Sequence, residues 1–101
     1  MEIQEAKRES FEELVLKSKK PVLLDFYTNA CSHCRTMEVI LKAVAEARPD
    51  ISVVKMNVEG ASDICAAYGV SRVPTLLAIK EGSVTARQEG ACSKAAVLQM
   101  L

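Results

Sequence analysis

The segment that most restricts the fold is Val22–Tyr27 (VLLDFY), in which Asp25 is the one charged residue. Pro21 precedes the segment and polar residues follow it, so this apolar run is too short for a helix and is typical of a strand. Because nearly every position is apolar, we expect both faces of the strand to be buried. A strand buried on both faces indicates an α/β protein whose sheet is covered by helices on each side.

Helical and strand-like patterns alternate along the rest of the chain. Met37, Ile40, Leu41 and Val44 repeat at helical spacing, which predicts a long amphipathic helix over residues 31–47. Strands that alternate with helices form parallel βαβ units, and a closing hairpin adds an antiparallel edge. The other predicted elements are a weak first strand within Met1–Ala6, a helix Phe11–Lys19 after a capping box at Ser10, a strand Ile51–Val58, a short helix over residues 61–68, the hairpin strands Thr75–Lys80 and Ser83–Gln88, and a last helix after Ser93.

Length and composition are typical of a globular chain with one domain. The chain has 101 residues, of which 50% are hydrophobic and 26% are charged, so we predict a single domain over residues 1–101. The 13 basic residues balance the 13 acidic ones, and a neutral chain offers no general attraction to nucleic acid or to an acidic membrane. No apolar run is long enough to span a membrane, and residues 1–10 contain no apolar signal-peptide region. We therefore expect a cytoplasmic monomer.

The cysteine pair Cys31 and Cys34 lies where the predicted central strand has ended and the long helix begins. Sites in open α/β sheets form at this edge, beyond the carboxyl ends of the strands. A thiol at a helix start faces unpaired backbone N–H groups and the positive end of the helix dipole, and both stabilise a thiolate. A second thiol three residues later lies on the same face of the helix, so it can displace a mixed disulfide formed by the first. The spacing therefore favours thiol–disulfide exchange.

Zinc sites use the same Cys-x-x-Cys spacing, but they normally need two further ligands at matching spacing. The remaining candidates are Cys65, Cys92 and the single histidine, His33, which are isolated from one another in the sequence. Arg35 follows the second cysteine where a haem-attachment motif has histidine, so haem attachment is excluded. A dithiol metal site stays open as an alternative, whereas thiol–disulfide exchange needs neither a metal nor an organic cofactor.

A set of separated motifs lies along the chain: Asp25 six residues before the first cysteine, the Cys-x-x-Cys itself, Lys55 in VVKMN, Tyr68-Gly69-Val70, Val73-Pro74-Thr75, Lys80-Glu81-Gly82 and Gly90-Ala91. In these motifs the chain resembles the thioredoxin family over about Val22–Ser93. The resemblance implies a thioredoxin fold, with a mixed sheet of four or five strands and helices on both faces. It also implies that Pro74 follows a cis peptide bond and opposes the dithiol, in a substrate groove formed with Val73 and Ala30.

The sequence departs from the family pattern around the dithiol. Thioredoxins usually carry Trp-Cys-Gly-Pro-Cys, whereas this chain reads Ala30-Cys31-Ser32-His33-Cys34 and has no tryptophan. His33 is either a solvated loop residue or a partly charged group that favours the Cys31 thiolate. A dithiol whose reduced form is stabilised is a stronger oxidant, so Ser32 and His33 predict a more oxidising couple than the Gly-Pro version.

Asp25 is unusual in an apolar strand, because aspartate is depleted from strands and a buried carboxylate is costly. One interpretation is a structural ion pair with Lys55 on the neighbouring strand. The other, implied by the resemblance, is that Asp25 accepts the proton of Cys34 during release of the substrate, with Lys55 assisting. An unpaired Asp25 in this position should have a raised pKa.

The other two cysteines are interpreted as packing residues. Cys65 lies on the apolar face of its predicted helix, and a buried free cysteine usually behaves as a small hydrophobic side chain. Cys92 precedes the last helix, where a regulatory thiol is the alternative to packing.

The sequence therefore predicts a thiol–disulfide oxidoreductase in which Cys31 attacks a disulfide and Cys34 displaces the product. The expected partners are substrate proteins that contain disulfides, together with a reductase of the thioredoxin-reductase type or another dithiol donor. The alternative function is a thioredoxin-fold interaction module whose dithiol is incidental. A disulfide-reduction assay distinguishes these two possibilities.

Overall fold

The fold is built on a five-stranded mixed sheet with helices on both faces, which confirms the predicted α/β architecture. The computed structural model describes residues 3–101, and within that range no helix is long and apolar enough to cross a membrane. The strands are β1 (Gln4–Glu5), β2 (Val22–Tyr27), β3 (Ser52–Asn57), β4 (Thr75–Lys80) and β5 (Ser83–Glu89), and the α-helices are α1 (Ser32–Ala47), α2 (Ser62–Ala67) and α3 (Lys94–Met100). The strand order is β1-β3-β2-β4-β5.

Strand β2 lies at the centre of the sheet, and its side chains alternate between two hydrophobic cores. Leu23 packs into the core beneath α1 and α3, together with Leu41 and Val97. Leu24 and Phe26 pack into the core on the opposite face. The alternation follows from the period of two residues in a strand, and it confirms that both faces of β2 are buried.

The sheet topology brings the start of β4 next to the start of α1. Strand β2 pairs in parallel with β3 and antiparallel with β4, so Phe26 near the end of β2 pairs with Thr75 at the start of β4. The chain leaves β2 at Tyr27 and enters α1 at Ser32. The residues just before β4 and just before α1 therefore meet at the same edge of the sheet.

The N-terminal helix is the element that the sequence pattern predicted wrongly. In place of a helix over Phe11–Lys19, the structure has a 3-10 turn at Arg8–Ser10 and a π-helical turn at Glu12–Leu16. The N–H of Lys17 donates to the carbonyl of Glu12 at 2.8 Å. This bond spans five residues instead of four, so it widens the turn and ends the helical segment three residues early.

The segment before that turn also differs in detail from the prediction. The Ser10 hydroxyl accepts a hydrogen bond from the Lys7 N–H at 2.9 Å, so it does not cap a helix that begins at residue 11. The weak first strand is present at Gln4–Glu5 and pairs in parallel with β3. The part of its predicted range at residues 1–2 lies outside the described residues.

The predicted hairpin is confirmed by the turn between β4 and β5. Glu81 and Gly82 both have positive φ angles, 51° and 79°, which is the backbone that a two-residue turn between twisted antiparallel strands requires. Glycine reaches this conformation without steric cost, whereas glutamate does so less readily. The hairpin places β5 at the edge of the sheet, far in sequence from the dithiol.

Candidate active site

The Cys31 thiol lies at the N-cap of α1. Its Sγ accepts a hydrogen bond from the backbone N–H of Cys34 at 3.1 Å, and its side chain is half-buried. A sulfur in this position replaces the side-chain oxygen that usually caps a helix. Because the donor is a free N–H at the positive end of the helix dipole, the contact stabilises negative charge on the sulfur. Cys31 therefore occupies the thiolate-stabilising position that the sequence predicts.

Cys34 lies one turn further along α1, and only 4% of its surface is exposed. Burial is the main cause that raises the pKa of its thiol to about 12, and the hydrogen bond with Cys31 raises it further. Cys34 therefore keeps its proton at neutral pH and needs a base before it can act as a nucleophile. The two thiols are unequal in exposure and in charge stabilisation.

The loop before β4 brings the Val73 carbonyl to the dithiol. The Val73–Pro74 peptide bond is cis, as the family resemblance implies. The carbonyl oxygen of Val73 lies 3.9 Å from Cys31 Sγ, and Pro74 behind it is buried. Ala30 is exposed and directly precedes Cys31 in the chain. The Val73 carbonyl thus lies beside the half-buried thiol, and the substrate groove formed by Val73, Pro74 and Ala30 stays a prediction.

Ser32 and His33, between the two cysteines, lie exposed in the first turn of α1. This turn contains no acidic residue, so its side chains do not offset the positive end of the helix dipole. The structure therefore places both predicted tuning residues on the solvent side of the dithiol.

Asp25 lies in the middle of β2, on the face covered by α1, and is 2% exposed. Its Oδ1 has no hydrogen-bond partner among residues 3–101. Burial is the largest cause that raises the pKa of this carboxyl group to about 7. The negative charge of Glu38 raises the pKa further, whereas the positive charge of Lys55 lowers it. The group can therefore take up or release a proton near neutral pH.

The predicted ion pair between Asp25 and Lys55 is replaced by a different one. The two residues are neighbours in the register of β2 and β3, but Lys55 Nζ donates to Glu38 Oε1 on α1 at 2.6 Å. The sequence interpretation missed Glu38, because a polar position on an amphipathic helix usually faces solvent. Its spacing of four residues from Cys34 was the available signal, since i and i+4 share one side of a helix.

A cavity of about 310 Å³ lies beside these groups. Its lining includes Asp25, Cys34, Glu38 and Lys55. A polar space of this size accommodates several water molecules, each of which occupies about 30 Å³ in the liquid. The Cys34 thiol and the Asp25 carboxyl group therefore share one polar compartment, through which a proton can pass.

Cys65 and Cys92 lie apart from the dithiol. Cys65 is 8% exposed on α2 and borders a second cavity of about 420 Å³, which also includes Val73. Cys92 is half-buried, and its N–H contacts the Met37 sulfur at 3.4 Å. Burial raises the pKa of both thiols, which disfavours their thiolates. Across residues 3–101 no group of three or more His, Cys, Asp or Glu side chains is placed to hold a metal ion.

Comparison with known proteins identifies the family. The thioredoxin family model matches residues 2–101. The chain belongs to the thioredoxin family. Thioredoxin from Streptomyces clavuligerus is 41% identical over 91 residues, which cover 90% of this chain and 85% of that protein. Thioredoxin from Pseudomonas aeruginosa is 37% identical over 93 residues, which cover 91% of this chain and 86% of that protein. The chloroplastic thioredoxin Y of Oryza sativa is 40% identical over 93 residues, but these cover only 55% of its length.

Membership of the thioredoxin family makes the protein a thiol–disulfide oxidoreductase. The family resemblance seen in the sequence motifs is thereby confirmed. Within this family fold, Cys31 and Cys34 lie between the end of the central strand and the first turn of α1, and Asp25 lies in that strand, buried beneath α1.

Proposed function

We propose that Cys31 and Cys34 carry out the exchange in two steps on protein disulfides. Family membership supports the reaction class, since thioredoxins act on disulfide substrates and are reduced by a reductase. The difference between the two thiols supports the division of roles. Cys31 Sγ is half-buried and receives an N–H at 3.1 Å, whereas Cys34 is 4% exposed and stays protonated.

In the first step the Cys31 thiolate attacks one sulfur of the substrate disulfide. A bond forms between Cys31 Sγ and that sulfur, and the substrate S–S bond breaks. The second substrate sulfur leaves as a thiolate and takes a proton from solvent. The product is a mixed disulfide between Cys31 and the substrate.

In the second step Cys34 gives its proton to the Asp25 carboxylate and attacks Cys31 Sγ. The Cys31–Cys34 bond forms, the mixed disulfide breaks, and the remaining substrate sulfur leaves as a thiolate. The substrate disulfide is thus reduced to two thiols, while the protein dithiol is oxidised to a disulfide. Asp25 suits this role because its pKa of about 7 makes it a base that is partly ionised at neutral pH. Lys55, the neighbour of Asp25 on β3, assists through its positive charge, which favours the ionised form of Asp25.

The substrate is proposed to lie in extended form against Val73, between Ala30 and Pro74. A backbone that adds to a sheet edge gains main-chain hydrogen bonds without a demand on side-chain identity. The support for this position is the 3.9 Å separation of the Val73 carbonyl oxygen and Cys31 Sγ. Such binding suits an enzyme that acts on many protein disulfides.

The couple is proposed to be more oxidising than that of a Trp-Cys-Gly-Pro-Cys thioredoxin. The exposed His33 and the absence of acidic residues in the first turn of α1 favour a Cys31 thiolate, and hence the reduced form. Each ~1.4 kcal/mol of added stabilisation moves a two-electron couple by ~30 mV. Equilibration with glutathione measures the potential: a value near that of reducing thioredoxins supports a reductase, and a much higher value supports an oxidase or isomerase.

The experiment that tests the two-step function is capture of substrates by single-cysteine variants. Cys34→Ser keeps the backbone N–H that contacts Cys31 Sγ but removes the resolving thiol, so mixed disulfides should accumulate on non-reducing gels. Cys31→Ser should abolish both capture and turnover. Cys65→Ser and Cys92→Ser are the matched controls and should behave as wild type.

Two outcomes contradict the assignment of roles. Equal capture by the Cys31→Ser and Cys34→Ser variants would mean that the two thiols are interchangeable. Failure of the reduced wild-type protein to reduce any disulfide would support an interaction module with an incidental dithiol instead.

The electron donor, the cellular location and the oligomeric state are also part of the proposed function. No cofactor is required, because the two thiols themselves carry the electrons, and a reductase of the thioredoxin-reductase type or another dithiol donor restores them. A cytoplasmic location and a monomeric state stay predictions. Cell fractionation checks the first, which is of interest because the rice relative is described as chloroplastic. Sedimentation checks the second.

A further inference from the structure

We propose that Glu38 is a positioning residue that holds the Lys55 ammonium group away from Asp25 and so sets the proton affinity of the resolving step. This inference rests on the proposed function for the role of Asp25 in that step. Its geometric part, the competition between two carboxylates for one lysine, stands on the contacts alone.

The first observation is that the backbone alone would pair Asp25 with Lys55. The two residues are direct neighbours on the parallel strands β2 and β3. Lys55 Nζ nevertheless contacts Glu38 Oε1 at 2.6 Å, while Asp25 Oδ1 has no partner among residues 3–101. A buried carboxylate beside a free ammonium group would ordinarily take it as a partner. Glu38 is therefore the group that keeps Asp25 unpaired.

The second observation is how Lys55 is held on its other side. Its Nζ lies 5.3 Å from the centre of the Tyr27 ring, a cation–π contact. The Tyr27 hydroxyl in turn donates to the Glu5 carboxylate on β1. The lysine therefore contacts both Glu38 and the Tyr27 ring, and its side chain is 26% exposed.

The third observation is the set of charges that faces Asp25. The neighbour of Asp25 on β4 is the apolar Leu76, so β4 places no charge directly beside Asp25. The guanidinium group of Arg35 donates to the Asn29 carbonyl at 3.2 Å, in the loop before α1. The titratable and charged groups that share the cavity are Lys55 from β3, Cys34, Arg35 and Glu38 from α1, Tyr27 from β2 and Glu5 from β1.

Glu38 affects Asp25 in two ways, and both raise the pKa of the Asp25 carboxyl group. Its own negative charge raises the pKa of Asp25, and it occupies the cation that would lower that pKa. Because Glu38 lies on α1 one turn after Cys34, the residue that holds Lys55 and the resolving thiol belong to the same helix. The base of the resolving step is thereby coupled to the helix that carries the resolving thiol.

The test is an NMR titration of the Asp25 carboxyl carbon in the reduced protein, with Glu38→Gln against wild type. Glu38→Gln keeps the side-chain volume and removes the charge, so Lys55 becomes free to approach Asp25. We expect the Asp25 titration to move down by about one pH unit or more, as an opposite charge within a few ångströms produces. Glu46→Gln is the matched control, an exposed glutamate of the same helix, and should leave the titration unchanged.

A double variant separates the positioning effect from the direct effect of the Glu38 charge. In a Lys55→Met background no lysine remains to be released, so Glu38→Gln should shift the Asp25 titration by clearly less than it does in wild type. An equal shift in both backgrounds, or none in the single variant, would overturn the positioning role.

The rate of the resolving step against pH provides the functional readout. In Glu38→Gln, the increase of the resolving rate with pH should shift to lower pH by the same amount as the Asp25 titration. The rate of the first attack should keep its pH profile. A moved titration with an unmoved resolving profile would overturn the effect on catalysis. That result would also show that Asp25 is not the proton acceptor, and it would leave the Cys31 and Cys34 roles to be judged by the capture experiment.

Discussion

Replacement of Asp25 by asparagine should change how the stability of the protein depends on pH. The native carboxyl group is 2% exposed and its Oδ1 is unpaired within residues 3–101, so the folded state favours its protonated form. The asparagine side chain of the variant is neutral at every pH and close in shape to the protonated acid. The comparison therefore isolates the cost of ionising one buried group.

The magnitude follows from the two pKa values of Asp25. The pKa is about 7 in the folded protein and 3.8 in the reference state, a difference of about 3 units. At about 1.4 kcal/mol for each unit, ionisation costs the folded state about 4 kcal/mol. Between pH 4 and pH 7 the folded state binds more protons than the unfolded state, so the stability contributed by this group falls as the pH rises. It is fully present below pH 4 and is lost above pH 7.

Urea unfolding of the reduced proteins between pH 4 and pH 8 measures the effect. The free energy of unfolding of Asp25→Asn minus that of wild type should rise by about 3 to 4 kcal/mol over this range. Asp50→Asn is a suitable control, because Asp50 is exposed and Arg48 lowers its pKa to about 2. The free energy of unfolding of Asp50→Asn minus that of wild type should therefore stay constant from pH 5 to pH 8. A flat difference for Asp25→Asn as well would refute the reasoning, because it would mean that the buried carboxyl group ionises in the folded state without cost.

Two further predictions concern the residues around the dithiol. His33→Ala should make the potential against glutathione more negative, by on the order of 10 mV, because an exposed charge interaction is worth less than about 1 kcal/mol; an unchanged potential would leave His33 as a solvated residue. The protein should be a poor substrate of a standard thioredoxin reductase, since Ala30 and the Ser32-His33 pair alter the surface next to Cys31. Turnover equal to that of a Trp-Cys-Gly-Pro-Cys thioredoxin would contradict this. Ala30→Trp should improve turnover, because it restores the residue that the reductase contacts next to the first cysteine under this hypothesis.

The two central strands β2 and β4 were predictable because most of their residues are apolar. Val22–Tyr27 and Thr75–Lys80 have the predicted bounds, since an apolar run between breakers allows few alternatives. The N-terminal helix was not predictable in the same way. Phe11 and Val15 have helical spacing and are both buried, but the turn from Glu12 to Lys17 closes over five residues instead of four. Periodicity reports which residues face the core, and it does not report how the backbone between them closes.

The candidate site was predictable where chemistry and spacing coincide, and not where it depends on tertiary contacts. The dithiol and Asp25 stand out because cysteine pairs and buried carboxylates are rare. The partner of Lys55 depends on how far α1 lies above the sheet, which no local pattern encodes. Glu38 is half-buried, and its spacing from Cys34 places it on the same side of the helix, but that spacing does not show that it contacts Lys55.

The position of Cys31 links the redox state of the protein to the start of α1. The same contact, from the Cys34 N–H to Cys31 Sγ, caps the helix and places a hydrogen-bond donor on the sulfur that is proposed to attack the substrate. A hydrogen bond to a charged acceptor is stronger than one to a neutral acceptor, so the cap is strongest when Cys31 is a thiolate. Once Cys31 forms a disulfide, its sulfur is neutral and the cap weakens. We therefore expect helix capping to favour the reduced protein, in the same direction as the proposed effect of His33.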